Sequence, residues 1–146
     1  MFIPPPLLLI IAISLSYMVS IAFPGLQYDG LSFSWIGLIA ISVGIFAVTW
    51  GRHLLVRHKT TLHPHGKPTK LVTRGPYAHS RNPIYLGFLL IAIGTALLFA
   101  NVLAFAGPVI FFAFASIFII PFEEDMLHRK FGDAYRRYRK STRRWL

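Results

Sequence analysis

The stretch IYLGFLLIAIGTALLFANVLAFAGPVIFFAFASIFIIPFEED, residues 84–125, decides the fold. Residues 84–122 carry no charge, and three consecutive acids then close the stretch. Asn101 divides it into two apolar runs, 84–100 and 102–122. Each is close to the ~20 residues a helix needs to cross a ~30 Å hydrocarbon core. Working outward, 31–50 and 7–23 are two further uncharged runs. Within lipid the backbone must satisfy its own hydrogen bonds, so all four runs are read as helices. The expectation is an all-α integral membrane protein with about four transmembrane helices. The third and fourth form a tight helical hairpin, because only Asn101 separates them.

Charge supports this count. The mean hydropathy is +0.58 and the formal net charge +10. No Lys or Arg precedes Arg52; seven lie between Arg52 and Arg81, and eight between Arg129 and Arg144. Four crossings put both basic regions on one face, which the positive-inside rule makes cytosolic, together with the N-terminus. Only Asp29 charges the loop between the first two runs, which faces away. These cations are read as topogenic and as facing anionic lipid, not nucleic acid. Residues 7–23 are read as a retained span, because no Lys or Arg precedes them and no A-x-A-like site follows. The sequence has no cysteine, which excludes disulfides, thiolate metal sites and a cysteine nucleophile.

The whole of 1–146 reads as one membrane domain, with a cytosolic loop over 51–82 and a cytosolic tail over 123–146. Pro4-Pro5-Pro6 suits the first turn of a helix, and Pro24-Gly25 ends it. Gly107-Pro108 either kinks the fourth helix or sets its start. In the tail, Leu127, Phe131, Ala134, Tyr135 and Tyr138 recur at helical spacing among Arg129, Lys130, Arg136, Arg137 and Arg139. This predicts an amphipathic helix lying at the headgroups or over a site. Gly132-Asp133 divides it, with Asp133 as the second N-cap.

Three stretches carry candidate chemistry. In the first, Pro83 starts the third helix and Arg81-Asn82 cap it. The free amides and positive dipole end there suit an anionic ligand group, and Gly87 lets a ligand approach the backbone. In the second, Glu123-Glu124-Asp125 stand at a helix C-terminus, where they oppose the dipole unless cations or ligand groups compensate. Phe131-Gly132, Tyr135 and Tyr138 form the third. His53, His58, His63 and His65 crowd one loop, but no Cys or carboxylate is interspersed and no metal site is assigned.

Together these stretches resemble the isoprenylcysteine carboxyl methyltransferase and phospholipid methyltransferase family of membrane enzymes, in its small prokaryotic form. The matching residues are Leu71-Val72, Gly75 and Tyr77; Arg81-Asn82-Pro83, Tyr85 and Gly87; Glu123-Glu124; and Phe131-Gly132, Tyr135 and Tyr138. The match covers roughly residues 69–144, in order and in spacing. It implies S-adenosylmethionine as cofactor, held without a Rossmann fold, in the inner membrane of a prokaryote. Carried over by position, the cofactor contacts fall on Thr69, Lys70, Leu71, Val72, Tyr77, Asn82, Pro83, Ile84, Tyr85 and Glu123. Glu124, His79 and Tyr85 are the candidate bases for an acceptor that arrives protonated. The implied acceptor is lipid-like or small and hydrophobic, of the isoprenylcysteine carboxylate or phospholipid amine type.

One departure matters. The prenylcysteine enzymes carry a substrate-binding arginine shortly before the acidic pair, whereas residues 117–122 here are uncharged. That puts carboxyl methylation of a prenylated protein in question. Against the enzyme stand two other classes. A non-enzymatic membrane scaffold or channel subunit would use the basic loop to bind lipid, and a His-rich metal or haem carrier would copurify with metal.

Overall fold

A computed structural model describes residues 3–60 and 68–146, the side chains of 30–32 excepted. Among these the chain is helical: α1 (Pro5–Ala22), α2 (Gly30–Arg57), α3 (Pro83–Leu98), α4 (Ala106–Phe114), α5 (Ile120–Phe131) and α6 (Asp133–Ser141). Short 3₁₀ turns cover Pro24–Leu26, Gly75–Ala78 and Val102–Phe105, and a π-helical turn, Ala115–Ile119, joins α4 to α5.

Among the described residues three segments are long and apolar enough to cross a membrane: Pro5–Ala22, Phe33–Arg57 and the rod Val102–Phe131. The fourth apolar helix, α3, has 16 residues and spans roughly 24 Å. Large apolar side chains cover the outside of the bundle, among them Ile10, Met18, Trp35, Ile39, Phe46, Val109 and Phe118. Such a surface is stable against lipid tails and costly against water.

The most extensive contact is between α2 and α3, whereas the sequence pairs the third run with the fourth. Gly37, Gly44 and Gly51 recur every seven residues on α2, and Gly87 and Gly94 do the same on α3. A Cβ on Gly94 would lie 2.5 Å from the Gly37 carbonyl oxygen, and one on Gly44 2.6 Å from that of Gly87. The two backbones therefore touch, antiparallel, with no side chain between them. Close approach of small residues is how helices associate in lipid, where burial of apolar surface supplies no drive. Gly87 thus faces a neighbouring helix rather than a ligand. α3 does touch α4, where the Phe88 and Phe111 rings meet edge to face at 6.4 Å.

Gly107 lies in the first turn of α4 and makes the crossing with α1; a Cβ there would overlap the Ser16 hydroxyl and the Ala12 carbonyl. The fourth helix starts at Ala106, after a 3₁₀ turn that Asn101 caps by accepting from the Leu103 amide at 2.9 Å. The side-chain amide of Asn101, fully buried, donates to the carbonyl of Phe23 at 2.8 Å. The residue read as a bare separator is the rivet between two turns.

Three boundaries differ from expectation. α2 continues to Arg57, seven residues into the expected loop, because Leu54 and Leu55 still have Val72 and Tyr77 to pack against. Glu123, Glu124 and Asp125 are not at a helix C-terminus, since the rod runs on to Phe131. Pro121 lacks an amide and its ring would strike the carbonyl four residues back, so the ladder widens. The Ile120 amide donates to the Ala115 carbonyl, five residues back, and the helix survives the proline. The tail does divide, at Gly132 with φ +51°, but Gly132 is the cap. Asp133 instead sits in the first turn of α6 and pairs with Arg136 at 3.3 Å.

The seam gives a direct test. Gly94→Ala must push α2 and α3 apart and is expected to cost about 1–3 kcal/mol or more. Gly25→Ala, with nothing within 4 Å of the added carbon, should be nearly silent. Thermal unfolding in detergent compares the two, and equal melting temperatures would refute the seam.

Candidate active site

Glu123 and Glu124 are neighbours on α5 with opposite fates. Glu123 is 5% exposed and Glu124 8%. The Tyr85 hydroxyl, one turn into α3, donates to Glu123 Oε1 at 2.6 Å. Glu123 Oε2 is buried and has no hydrogen-bond partner among the described residues. A buried carboxylate oxygen without a donor is costly, which marks the position where a ligand donor would be welcome.

Glu124 is saturated instead. Arg144 grips it with both arms of its fork, Nε to Oε1 at 3.2 Å and Nη2 to Oε2 at 2.7 Å. Arg81 adds a contact to Oε1 at 2.9 Å. Bonding to Glu124 holds the Arg144 guanidinium above its ordinary pKa. Paired, hydrogen-bonded charges of this kind are the form in which a carboxylate tolerates burial.

Around the carboxylates stand the tyrosines. Tyr77 and Val72 pack with Leu55 of α2, and Ile84 lies against them. The Tyr138 hydroxyl of α6 donates to the Tyr77 carbonyl at 2.6 Å. Burial pushes the phenols of Tyr77 and Tyr138 above their ordinary pKa, so both remain neutral donors at physiological pH. Leu71 joins Leu127, Phe131, Tyr135 and Tyr138 in a separate cluster. α6 turns Tyr135 and Tyr138 inward against Leu127 of α5 and leaves Arg136, Arg137, Arg139 and Lys140 exposed.

The structure links the predicted cofactor residues through two sets of contacts: Val72, Tyr77 and Ile84 pack with Leu55 of α2, and Tyr85, two residues after Pro83, bonds Glu123 of α5. Thr69 and Lys70 are exposed and tied to the end of α2: Thr69 Oγ1 donates to the Lys59 carbonyl at 2.8 Å, and Thr60 Oγ1 to that of Lys70 at 3.1 Å. Asn82 occupies the N-cap position of α3 but makes no side-chain cap. Its amide nitrogen donates to the Arg144 carbonyl at 3.1 Å.

The three candidate bases do not share a place. Tyr85 is on Glu123, Glu124 is held by two arginines, and His79 is exposed. Among the described residues no three His, Cys, Asp or Glu side chains gather as metal ligands. His63 and His65 lie outside the described residues. Two participants escaped the sequence reading, Ser80 and Arg144. Arg144 was one cation among eight in its region, and no local pattern marks it as the partner of an acid 20 residues earlier.

Fold and side-chain contacts together define an integral membrane protein of packed helices with a cluster of buried polar side chains, Tyr85, Glu123 and Glu124 among them. A profile of phospholipid methyltransferases matches residues 33–134. A probable protein-S-isoprenylcysteine O-methyltransferase of Oryza sativa subsp. japonica is 32% identical over 146 residues, covering 86% of this chain and 73% of the rice protein. Protein-S-isoprenylcysteine O-methyltransferase A of Arabidopsis thaliana is 35% identical over 131 residues, which is 84% of this chain and 62% of the plant protein. The Schizosaccharomyces pombe protein-S-isoprenylcysteine O-methyltransferase is 31% identical over 130 residues, 87% of this chain and 52% of its own length. The chain belongs to the phospholipid methyltransferase family and is a membrane methyltransferase.

The two acids nearest the site predict different stabilities. Glu124→Gln leaves Arg81, whose side chain is 9% exposed, without a countercharge. A loss of about 3–5 kcal/mol is expected. Asp125→Asn breaks only the exposed pair with Arg129 and should change stability by about 0.5 kcal/mol or less. Chemical unfolding in detergent measures both.

Proposed function

We propose that this methyltransferase uses S-adenosylmethionine and methylates a lipid-like or small hydrophobic acceptor. The observation that carries the cofactor assignment is the buried Tyr85–Glu123 pair with its unpartnered Glu123 Oε2. When bound, the cofactor supplies an electrophilic methyl group on a sulfonium. The residues present fit such a ligand. Glu123 Oε2 can accept from a ribose hydroxyl or an amino group. The first amides of α3, at Ile84 and Tyr85, have no intrahelical acceptor and would suit an anionic group such as a carboxylate. Tyr77 and Tyr85 offer ring faces to adenine or to the sulfonium. Thr69, Lys70, Leu71 and Val72 run from the end of α2 towards the α5–α6 corner and border the same region.

Methyl transfer by in-line displacement needs alignment and a dry site more than a strong acid. α6 and the helix starts exclude water, and the Tyr85–Glu123 bond fixes the side chains that align the reactants. The acceptor enters from the bilayer, between helices. A carboxylate acceptor needs no base, whereas an amine must first lose a proton. Uncharged residues 117–122 favour the amine type over the prenylcysteine type, because no cation stands there to hold a substrate carboxylate.

We place the site on the cytosolic side. α3 runs antiparallel to α2 along its glycine seam, which makes α3 the remaining crossing of a four-span topology. Both basic regions, 51–82 and 123–146, then meet the same membrane surface as the N-terminus, in agreement with the positive-inside rule.

Calorimetry with S-adenosylmethionine on detergent-purified protein tests the assignment. Glu123→Gln and Tyr85→Phe are each expected to weaken binding by about tenfold or more, equivalent to at least ~1.4 kcal/mol. An absence of binding in folded, lipid-supplemented wild type would overturn the proposal and favour a non-enzymatic scaffold. With binding established, thin-layer separation of a lipid extract incubated with methyl-labelled cofactor distinguishes the acceptors, since methyl esters are base-labile and methylamines are not.

A further inference from the structure

Beyond α6 the chain folds back across the start of α3. Thr142 is buried. The Arg143 carbonyl accepts from the Arg81 amide at 2.9 Å. The Arg144 carbonyl accepts from Ser80 Oγ at 3.3 Å and Asn82 Nδ2 at 3.1 Å, while its guanidinium grips Glu124. The Trp145 ring then lies 4.9 Å from that of Phe112, against the cluster that contains Tyr85 and Phe88.

The chemistry of these contacts is specific. Main-chain carbonyl oxygens, which carry partial negative charge, occupy the donors of Ser80, Arg81 and Asn82 just ahead of a helix N-terminus. A ligand carboxylate would seek the same donors. The segment is held by hydrogen bonds, one clamped guanidinium and one partly buried ring, not by a deep core. Segments held in this way open at lower free energy than packed helices.

We propose that residues 142–146 form a strap that competes with S-adenosylmethionine for the donors at the start of α3, so that loading the cofactor requires the strap to lift. The proposal rests on the cofactor reading above. Its consequence is an apparent affinity lower than the intrinsic one, by the fraction of molecules with the strap lifted. Arg144 sets that fraction because it holds the strap to Glu124.

The cysteine-free sequence makes the test clean. Phe112→Cys and Trp145→Cys are combined, and the thiols are joined with a short bifunctional methanethiosulfonate reagent. Labelled S-adenosylmethionine is the probe. Linking is expected to weaken binding by about tenfold or more. Reductant should restore it, and either single-cysteine variant treated alike should be unaffected. Arg144→Ala, with its helicity checked by circular dichroism, is expected to bind several-fold more tightly. Unchanged binding by the linked protein would overturn the strap. So would retention of label when the strap is linked after loading, because the observed contacts would then belong to the loaded form. If wild type itself fails to bind, the cofactor reading falls and the strap with it; if wild type binds and linking is silent, only the strap falls.

Discussion

A carboxylate taken out of water is costly unless cations meet it where it stands, and the charged rim of this protein is arranged around that requirement at Glu124. One cation comes from just before α3 and the other from beyond α6. The acid itself sits on a rod that carries the apolar span. Three segments far apart in sequence are thereby pinned at one point, and the backbone follows the side chains. The carbonyls of Arg143 and Arg144 take the donors around Asn82, held there by the Arg144 guanidinium together with the packed Trp145 ring. Water screens such pairs at a surface, but a site of low polarity strengthens them, so this clamp orders its surroundings in a way that the exposed Asp125–Arg129 pair does not.

The adjacent Glu123 shows the opposite use of the same residue type. Among the described residues it receives one phenol and no cation, and keeps an oxygen unsatisfied. Its position depends on two backbone devices. The glycine seam brings α3 against α2 and so sets where Tyr85 stands. The π-helical turn lets the rod pass Pro121 without breaking, so that the acids continue on a helix instead of fraying at its end. A methyltransferase that works in line needs fixed, dry alignment, and both devices supply rigidity close to the candidate site.

Much of this was legible beforehand. Uncharged runs, sorted cations and the motif residues around Tyr77, Asn82, Tyr85 and Glu123 each depend on local order, and local order is what a sequence displays. The seven-residue repeat of Gly37, Gly44 and Gly51 was equally visible, yet its meaning required a partner. Gly87 read alone suggests room for a ligand; read against Gly44 it is a contact between helices. Pro121 likewise announced a disturbance without saying whether the helix would end or widen.

What the sequence by itself determined is the solvent: long apolar runs without a charge place helices in lipid, because a helix satisfies its backbone hydrogen bonds within each run. What only the tertiary structure decided is pairing. Which of two adjacent glutamates receives a tyrosine and which two arginines, and which helix the glycines touch, depend on contacts between residues distant in the chain. One-dimensional order carries no measure of those distances, and electrostatic and packing energies depend on nothing else.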